Sequence, residues 1–172
     1  MIITAGIYKG RKILSPDEKI TRPTLSKTRM GIFNSLYSIM NDFNGKSFLD
    51  VFGGSGIMGL EAISRGFTNV QVFELNKSAA KIIKQNYENL GLKPNLTVGD
   101  SVKLLKKSDF IFDVVYIDPP YLSGIYNNIL SVVRGNIIVI EHIRDLDFKN
   151  FKIINQKKYG DITISYLINQ VL

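Results

Sequence analysis

Residues Asp118-Pro119-Pro120-Tyr121 follow the apolar run Val114-Val115-Tyr116-Ile117. Two prolines cannot continue a sheet ladder, so a strand must end there on a stiff, bent backbone. In an open α/β sheet, ligands bind at the carboxyl ends of the strands. The turn offers a carboxylate (Asp118), a carbonyl that has no adjacent N–H to pair it (Pro119) and a flat ring (Tyr121). Such a set suits a planar substrate with an exocyclic amine. The amine donates to the two oxygens while its ring stacks on the tyrosine.

A second constellation is Asp50-Val51-Phe52-Gly53-Gly54-Ser55-Gly56-Ile57-Met58-Gly59, in which Gly54, Gly56 and Gly59 satisfy G-x-G-x-x-G. A glycine turn lets a ligand approach the backbone closely. Glu74 ends the next strand, 18 residues after Gly56, where a carboxylate can accept from ribose hydroxyls. A nucleoside-containing cofactor is expected, and the glycines alone leave NAD and S-adenosylmethionine both open. Asp50 beside the glycine turn favours a cationic ligand end and opposes a pyrophosphate. Asp100, after strand three, could accept from an adenine amine, or cap the helix that starts at Ser101. Asp50, Glu74, Asp100 and Asp118 thus end four consecutive strands. That series matches the donors of S-adenosylmethionine, and a nicotinamide enzyme has no need of it.

The elements that must position these groups follow from periodicity. Residues 1–14 read as a short hairpin and 15–24 as loop. Residues 25–40 carry Met30, Phe33, Leu36, Tyr37 and Met40 at helical spacing, with Ser26 as a possible cap. Strands are expected at 47–52, 70–74, 95–98, 112–117 and 136–141. Helices are expected at 57–65, 77–90, 101–107 and 124–133. The C-terminal stretch reads as two strands around a Lys157-Lys158-Tyr159-Gly160-Asp161 turn. The implied fold class is α/β. It is a Rossmann-like, doubly wound, mostly parallel seven-stranded sheet with an antiparallel C-terminal hairpin and a short N-terminal hairpin and helix extension. The chain reads as one domain, with residues 1–24 as a basic arm and 25–172 as the core.

Composition narrows the class. The 172 residues can bury a sizeable core. No apolar run is long enough for a membrane span, and Met1–Gly6 show no signal-peptide pattern. With no cysteine and one histidine, disulfides are excluded and no metal site is expected. Both features fit a cytoplasmic protein. The net charge is +7, yet residues 1–46 hold eight Lys or Arg against three Asp or Glu. A basic arm on a nearly balanced body suggests a polyanionic partner. Tyr8 among Lys9, Arg11 and Lys12 favours nucleic acid. His142, after strand five, reads as a satisfied strand-end residue rather than a base.

At this point the chain resembles the class I S-adenosylmethionine-dependent methyltransferases. More narrowly, it resembles the RsmD-type enzymes that methylate guanine N2 in small-subunit (16S) ribosomal RNA. The matching residues are Gly10-Arg11-Lys12, Arg22-Pro23-Thr24, Phe33-Asn34, Leu49–Gly56, Gly59-Leu60-Glu61-Ala62, Ser64-Arg65-Gly66 and Asp118–Tyr121. One departure is Met30-Gly31, where an acidic residue would be expected after Arg29. The resemblance implies that Asp50, Gly53, Gly54, Ser55, Gly56, Glu74, Leu75, Asp100 and Ser101 hold S-adenosylmethionine, with S-adenosylhomocysteine as product and no metal. It implies that Asp118, Pro119, Pro120 and Tyr121 hold the target amine. Lys9, Arg11 and Lys12, with Arg22 and Arg29, are the expected RNA contacts. The expected partner is small-subunit rRNA or the assembling 30S particle, and the protein is expected to act as a monomer. The alternatives are a DNA amino-methyltransferase acting on adenine N6 or cytosine N4, a nicotinamide-dependent oxidoreductase, and a non-catalytic RNA-binding factor.

Overall fold

A computed structural model describes residues 1–16, 25–120, 124–148 and 150–170. The elements run α1 (Ser26–Met40), β1 (Ser47–Asp50), α2 (Ile57–Ser64), β2 (Asn69–Glu74), α3 (Lys77–Glu88), β3 (Asn95–Val98), α4 (Ser101–Lys107), β4 (Phe112–Ile117), α5 (Tyr126–Leu130), β5 (Gly135–His142), β6 (Phe151–Tyr159) and β7 (Ile162–Asn169). The strands form a seven-stranded sheet of order β3-β2-β1-β4-β5-β7-β6. The pairs β1–β2, β1–β4, β2–β3 and β4–β5 are parallel, and β7 pairs antiparallel with both β5 and β6. Chain order reverses about β1, which is the doubly wound topology expected from alternating strands and helices.

The central strands read as continuous apolar runs because both of their faces are covered. Alternate side chains enter different cores. Phe48, Val72, Val114, Tyr116 and Val139 pack with Leu36, Leu60, Ile83 and Tyr87 of α1, α2 and α3. Leu49, Val115, Ile117, Ile138 and Ile140 pack with Leu105 of α4 and Ile129 of α5. Phe33, Phe43, Phe48 and Phe67 add an aromatic cluster to the first core, with Phe43 and Phe67 stacked at 4.5 Å between centroids.

Some boundaries differ from expectation. The N-terminal hairpin is reduced to one antiparallel bridge, Ile2 with Lys12. It holds because Ile3 and Ile13 are buried in the core. Ser26 does not cap α1. The N-cap position is Leu25, with no side-chain cap, and the Ser26 hydroxyl instead accepts from Arg29 Nη2 at 3.2 Å. β1 ends at Asp50, two residues early, because the chain turns into the glycine loop. At the C-terminal hairpin, Lys158 pairs with Thr163 and Tyr159 with Ile162, so the turn is only Gly160-Asp161 and both lysines belong to β6.

A buried ionic group joins the arm to this body. Glu61 of α2 accepts from Arg29 Nε at 3.4 Å, from Arg65 Nε at 3.2 Å and from the Thr4 amide at 2.7 Å. Arg29 Nη2 also donates to the Ile2 carbonyl at 2.7 Å. Arg29 and Glu61 are 1% and 0% exposed, so removing one partner strands a charge in a medium that cannot solvate it. Glu61→Ala should therefore lower stability by about 3–5 kcal/mol, read as a shift of the urea midpoint. A loss below about 1 kcal/mol would show that the group is dispensable.

Candidate active site

The site lies where β1, β2 and β4 end. Asp50 is level with Val72 on one side and Tyr116 on the other. Partners at one level of a pleated sheet face the same way. Glu74 and Asp118 therefore emerge on the face of Asp50, one pleat repeat beyond it. Glu141 of β5 shares that face, because Val139 is the partner of Tyr116.

Between β1 and α2 the chain forms a tight loop. Gly54 (φ 57°) and Gly56 (φ 80°) adopt left-handed backbone, which strains any residue with a Cβ. Gly59 answers a different need, since a Cβ there would sit 2.4 Å from Tyr87 Oη. Glu74 braces the loop. Its Oε2 accepts from the Gly54 amide and its Oε1 from the Asn76 amide, both at 2.7 Å. Asn86 Nδ2 donates to the Ser55 carbonyl at 2.9 Å, and Ser101 Oγ to the Val51 carbonyl at 2.7 Å. Gly53, Gly54, Ser55 and Gly56 thus form one braced turn. Asp100 does cap α4, accepting from the Lys103 amide at 2.9 Å. Leu75, next to Glu74, leaves an apolar side chain 65% exposed at the rim, where a flat ring could lie.

Among the described residues, Asp50 is a buried carboxylate left without a hydrogen-bond partner, alongside the hydroxyls of Ser35, Tyr87 and Tyr166. It is 1% exposed and neither carboxylate oxygen has a hydrogen-bond partner. Burial raises its pKa from 3.8 to about 7. An interaction with the Phe52 backbone offsets part of this, and Glu74 and Glu141 push it further up. A buried orphan carboxylate beside a glycine turn fits a cationic ligand that donates to it, as the aminoacyl end of S-adenosylmethionine would.

Asp118 is half-buried, Pro119 buried and Pro120 exposed. Tyr121 and Arg22 lie outside the described residues. Lys9, Arg11 and Lys12 are exposed, and Arg11 Nη2 donates to the Asn89 carbonyl at the end of α3 at 3.1 Å. The expectation for Arg29 is corrected. It is buried as the partner of Glu61 and presents nothing to an RNA phosphate. His142 is buried, with Nδ1 against the Arg144 carbonyl and Nε2 against Ser165 Oγ, both at 2.8 Å. It has no base to play.

Sequence reasoning missed Tyr116, Glu141 and Tyr126. Tyr116 donates its hydroxyl to Glu141, and Tyr126 donates its own to the Glu141 carbonyl at 3.0 Å. Burial raises the pKa of Tyr126, and Asp118 and Glu141 add to the effect, which places that hydroxyl in the same electrostatic neighbourhood as the turn. A glutamate closing the apolar run of β5 was the available signal.

Together, the strand order, the braced glycine loop and the buried carboxylates define an S-adenosylmethionine-dependent methyltransferase of the α/β type. The family described as Conserved hypothetical protein 95 matches residues 1–168, and the chain belongs to it. YlbH of Bacillus subtilis (strain 168) is 30% identical over 159 residues, covering 86% of this chain and 85% of that one. A Haemophilus influenzae protein named Ribosomal RNA small subunit methyltransferase D is 28% identical, covering 98% of this chain and 92% of its own. The solved structure of yhhF from Escherichia coli shares the fold at a TM-score of 0.86 and 22% identity, covering 100% of this chain and 99% of that one.

The burial of Asp50 predicts a sign. An acid whose folded pKa exceeds its unfolded value binds more protons when folded, so stability falls as pH rises between the two. The ligand-free protein should lose stability from about pH 4 to about pH 7 on this account. Asp50→Asn should raise the Tm of ligand-free protein at pH 8 and not at pH 4. It should also weaken S-adenosylmethionine binding about tenfold or more, the loss of one charge-assisted contact. Equal Tm values at pH 8 would show that Asp50 is solvated.

Proposed function

We propose that this protein transfers a methyl group from S-adenosylmethionine to the exocyclic N2 amine of a guanine in small-subunit ribosomal RNA. The observation that carries the reading is the position of Asp118 two residues past Tyr116, the β4 partner of Asp50, on the strand beside the one that feeds the glycine loop. The name of the Haemophilus influenzae relative supports RNA as the substrate class.

When bound, S-adenosylmethionine supplies a methyl group on a positively charged sulfur. The chain supplies position and field. Asp50 would hold the cationic end, the 53–56 loop would give close backbone approach, and Leu75 and Asp100 would serve the adenine ring and its amine. Glu74 keeps the loop in shape and can still accept from a ribose hydroxyl. At the other end, Asp118 and the Pro119 carbonyl accept the two N–H bonds of the target amine. An aromatic amine's lone pair is delocalised into its ring. Two in-plane acceptors draw the nitrogen towards a geometry in which that pair points at the methyl carbon. Asp118 would take the surplus proton through its hydrogen bond as that nitrogen gains the methyl carbon and the bound donor is left as the neutral thioether. Tyr121 stacks on the base. Catalysis is then mostly orientation and electrostatic pre-organisation. The base must leave its stack to reach such a pocket. Lys9, Arg11 and Lys12 hold phosphates, and the protein works in the cytoplasm, as a monomer, on rRNA or the assembling 30S particle.

Transfer of label from S-adenosylmethionine to rRNA, followed by nucleoside analysis, should give N2-methylguanosine. Asp118→Asn should reduce that product about 10²-fold or more, as misplacement of a reacting group does, with cofactor affinity nearly unchanged. N6-methyladenine or N4-methylcytosine formed in DNA would instead assign the other amine substrates.

The arm has its own signature. Each phosphate contact removed lowers the salt slope of binding by about one. Replacing Lys9, Arg11 and Lys12 together by Ala should flatten the log–log salt dependence of RNA binding by about two to three. An unchanged slope would remove the arm from the interface.

A further inference from the structure

The Phe33-Asn34 and Ser64-Arg65-Gly66 segments have no part in the chemistry above, yet they meet in space. Phe33, Asn34 and Arg65 from these segments line a cavity of about 400 Å³ together with Gly6, Tyr37, Asp42 and Phe43. This groove lies away from the chemistry. α2 starts at the glycine loop and runs back beside β1, so Arg65 at its end reaches the opposite edge of the sheet, next to the chain entering β1.

The walls suit a flat, polar ligand. Tyr37 is 57% exposed and stands edge-on to Phe43 at 5.6 Å between centroids. Arg65 is held rigidly. Its Cζ lies 4.8 Å from the Phe33 centroid, its Nε donates to Glu61 and its Nη2 donates to Thr4 Oγ1 at 2.9 Å. A guanidinium carries five N–H donors, so Nη1 keeps its donors with no partner among the described residues. Asp42 is exposed and commits only Oδ1, to the Asn44 amide at 2.9 Å. A planar cation, an anchored carboxylate and an uncovered aromatic ring around one cavity form a purine-reading set. Guanine matches both charges, since its O6 and N7 accept from an arginine and its N1–H and N2 amine donate to a carboxylate. Adenine offers neither pair. The two charges also make the groove a poor seat for an apolar peptide. Gly6 belongs to the basic arm, and the exposed Lys9 follows three residues on, where the phosphate of a bound nucleotide would need a cation.

We propose that this groove is a second, non-catalytic RNA contact that takes one unstacked guanine, stacked on Tyr37 and read by Asp42 and Arg65. The proposal rests on RNA being the substrate. It extends the footprint from the carboxyl edge of the sheet, along the arm, to the opposite edge, and lets the enzyme recognise a guanine other than the one it methylates.

The test is photocrosslinking of the full chain, with S-adenosylmethionine present, to small-subunit rRNA carrying 6-thioguanosine, followed by peptide mapping. Crosslinks are expected both near residues 118–121 and within 33–43. Asp42→Asn and Tyr37→Ala, both surface changes, should each lower the 33–43 yield and the affinity for the RNA about tenfold, the worth of one good base contact. S-adenosylmethionine binding should stay unchanged, which reports an intact fold. Crosslinks near 118–121 with none in 33–43 would overturn the groove and leave the substrate reading standing. Crosslinks at neither place would overturn both.

Discussion

The in-register parallel pairing of β1 with β2 and β4 is the constraint on which the site depends. Asp50, Val72 and Tyr116 share one level. Glu74 and Asp118 stand two residues further along their own strands, roughly 6–7 Å higher and on the same face. A slip of one residue in either pairing would send a carboxylate to the opposite helix layer. Two cores hold the register, because each central strand contributes alternate side chains to both. Fold and chemistry are therefore one arrangement, since the packing that stabilises the sheet also aims its acids.

That aim has a cost, which falls on Asp50. Three carboxylates, those of Asp50, Glu74 and Glu141, influence one another in a region with little water. Glu74 is satisfied by the amides of Gly54 and Asn76, and Glu141 by the hydroxyl of Tyr116. Of the three, Asp50 has no donor in good hydrogen-bond geometry, and the Phe52 backbone offsets only part of its burial. A protein selected only for stability would place an apolar residue there. A buried carboxylate kept at such a cost is what the proposed cationic ligand end would need, since the ligand would then complete its bonding.

The N-terminal arm is as much a part of the body as the helices. Ile3 and Ile13 enter the core, and Glu61 ties Thr4, Arg29 and Arg65 together across the arm, α1 and α2. Residues 1–14 are thereby packed onto the body, and Arg11 is fixed against the Asn89 carbonyl. The departure at Met30-Gly31 also has a packing counterpart. A Cβ at Gly31 would lie 1.9 Å from Tyr159 Oη, so α1 leaves room there for the C-terminal hairpin.

Much of this was legible in order along the chain. Apolar runs, glycine punctuation and paired prolines marked the strands and their ends, because those signals are local and backbone-driven. They were enough to place Asp50, the 53–56 loop, Glu74 and Asp118 at strand ends, and to set an α/β sheet with a C-terminal hairpin. Arg29 was misread because charge in a sequence says nothing of burial. Its partner Glu61 lies 32 residues away, and only the docking of α1 on α2 brings them together. Tyr116, Glu141 and Tyr126 were missed for the same reason, since their pairing crosses from β4 and α5 to β5. The residue types and their turns were determined by the sequence by itself. Which acids share a face, which cation is internal and which carboxylate is left unpaired were decided only by the tertiary structure, because those properties depend on the register between strands and on what each side chain is packed against.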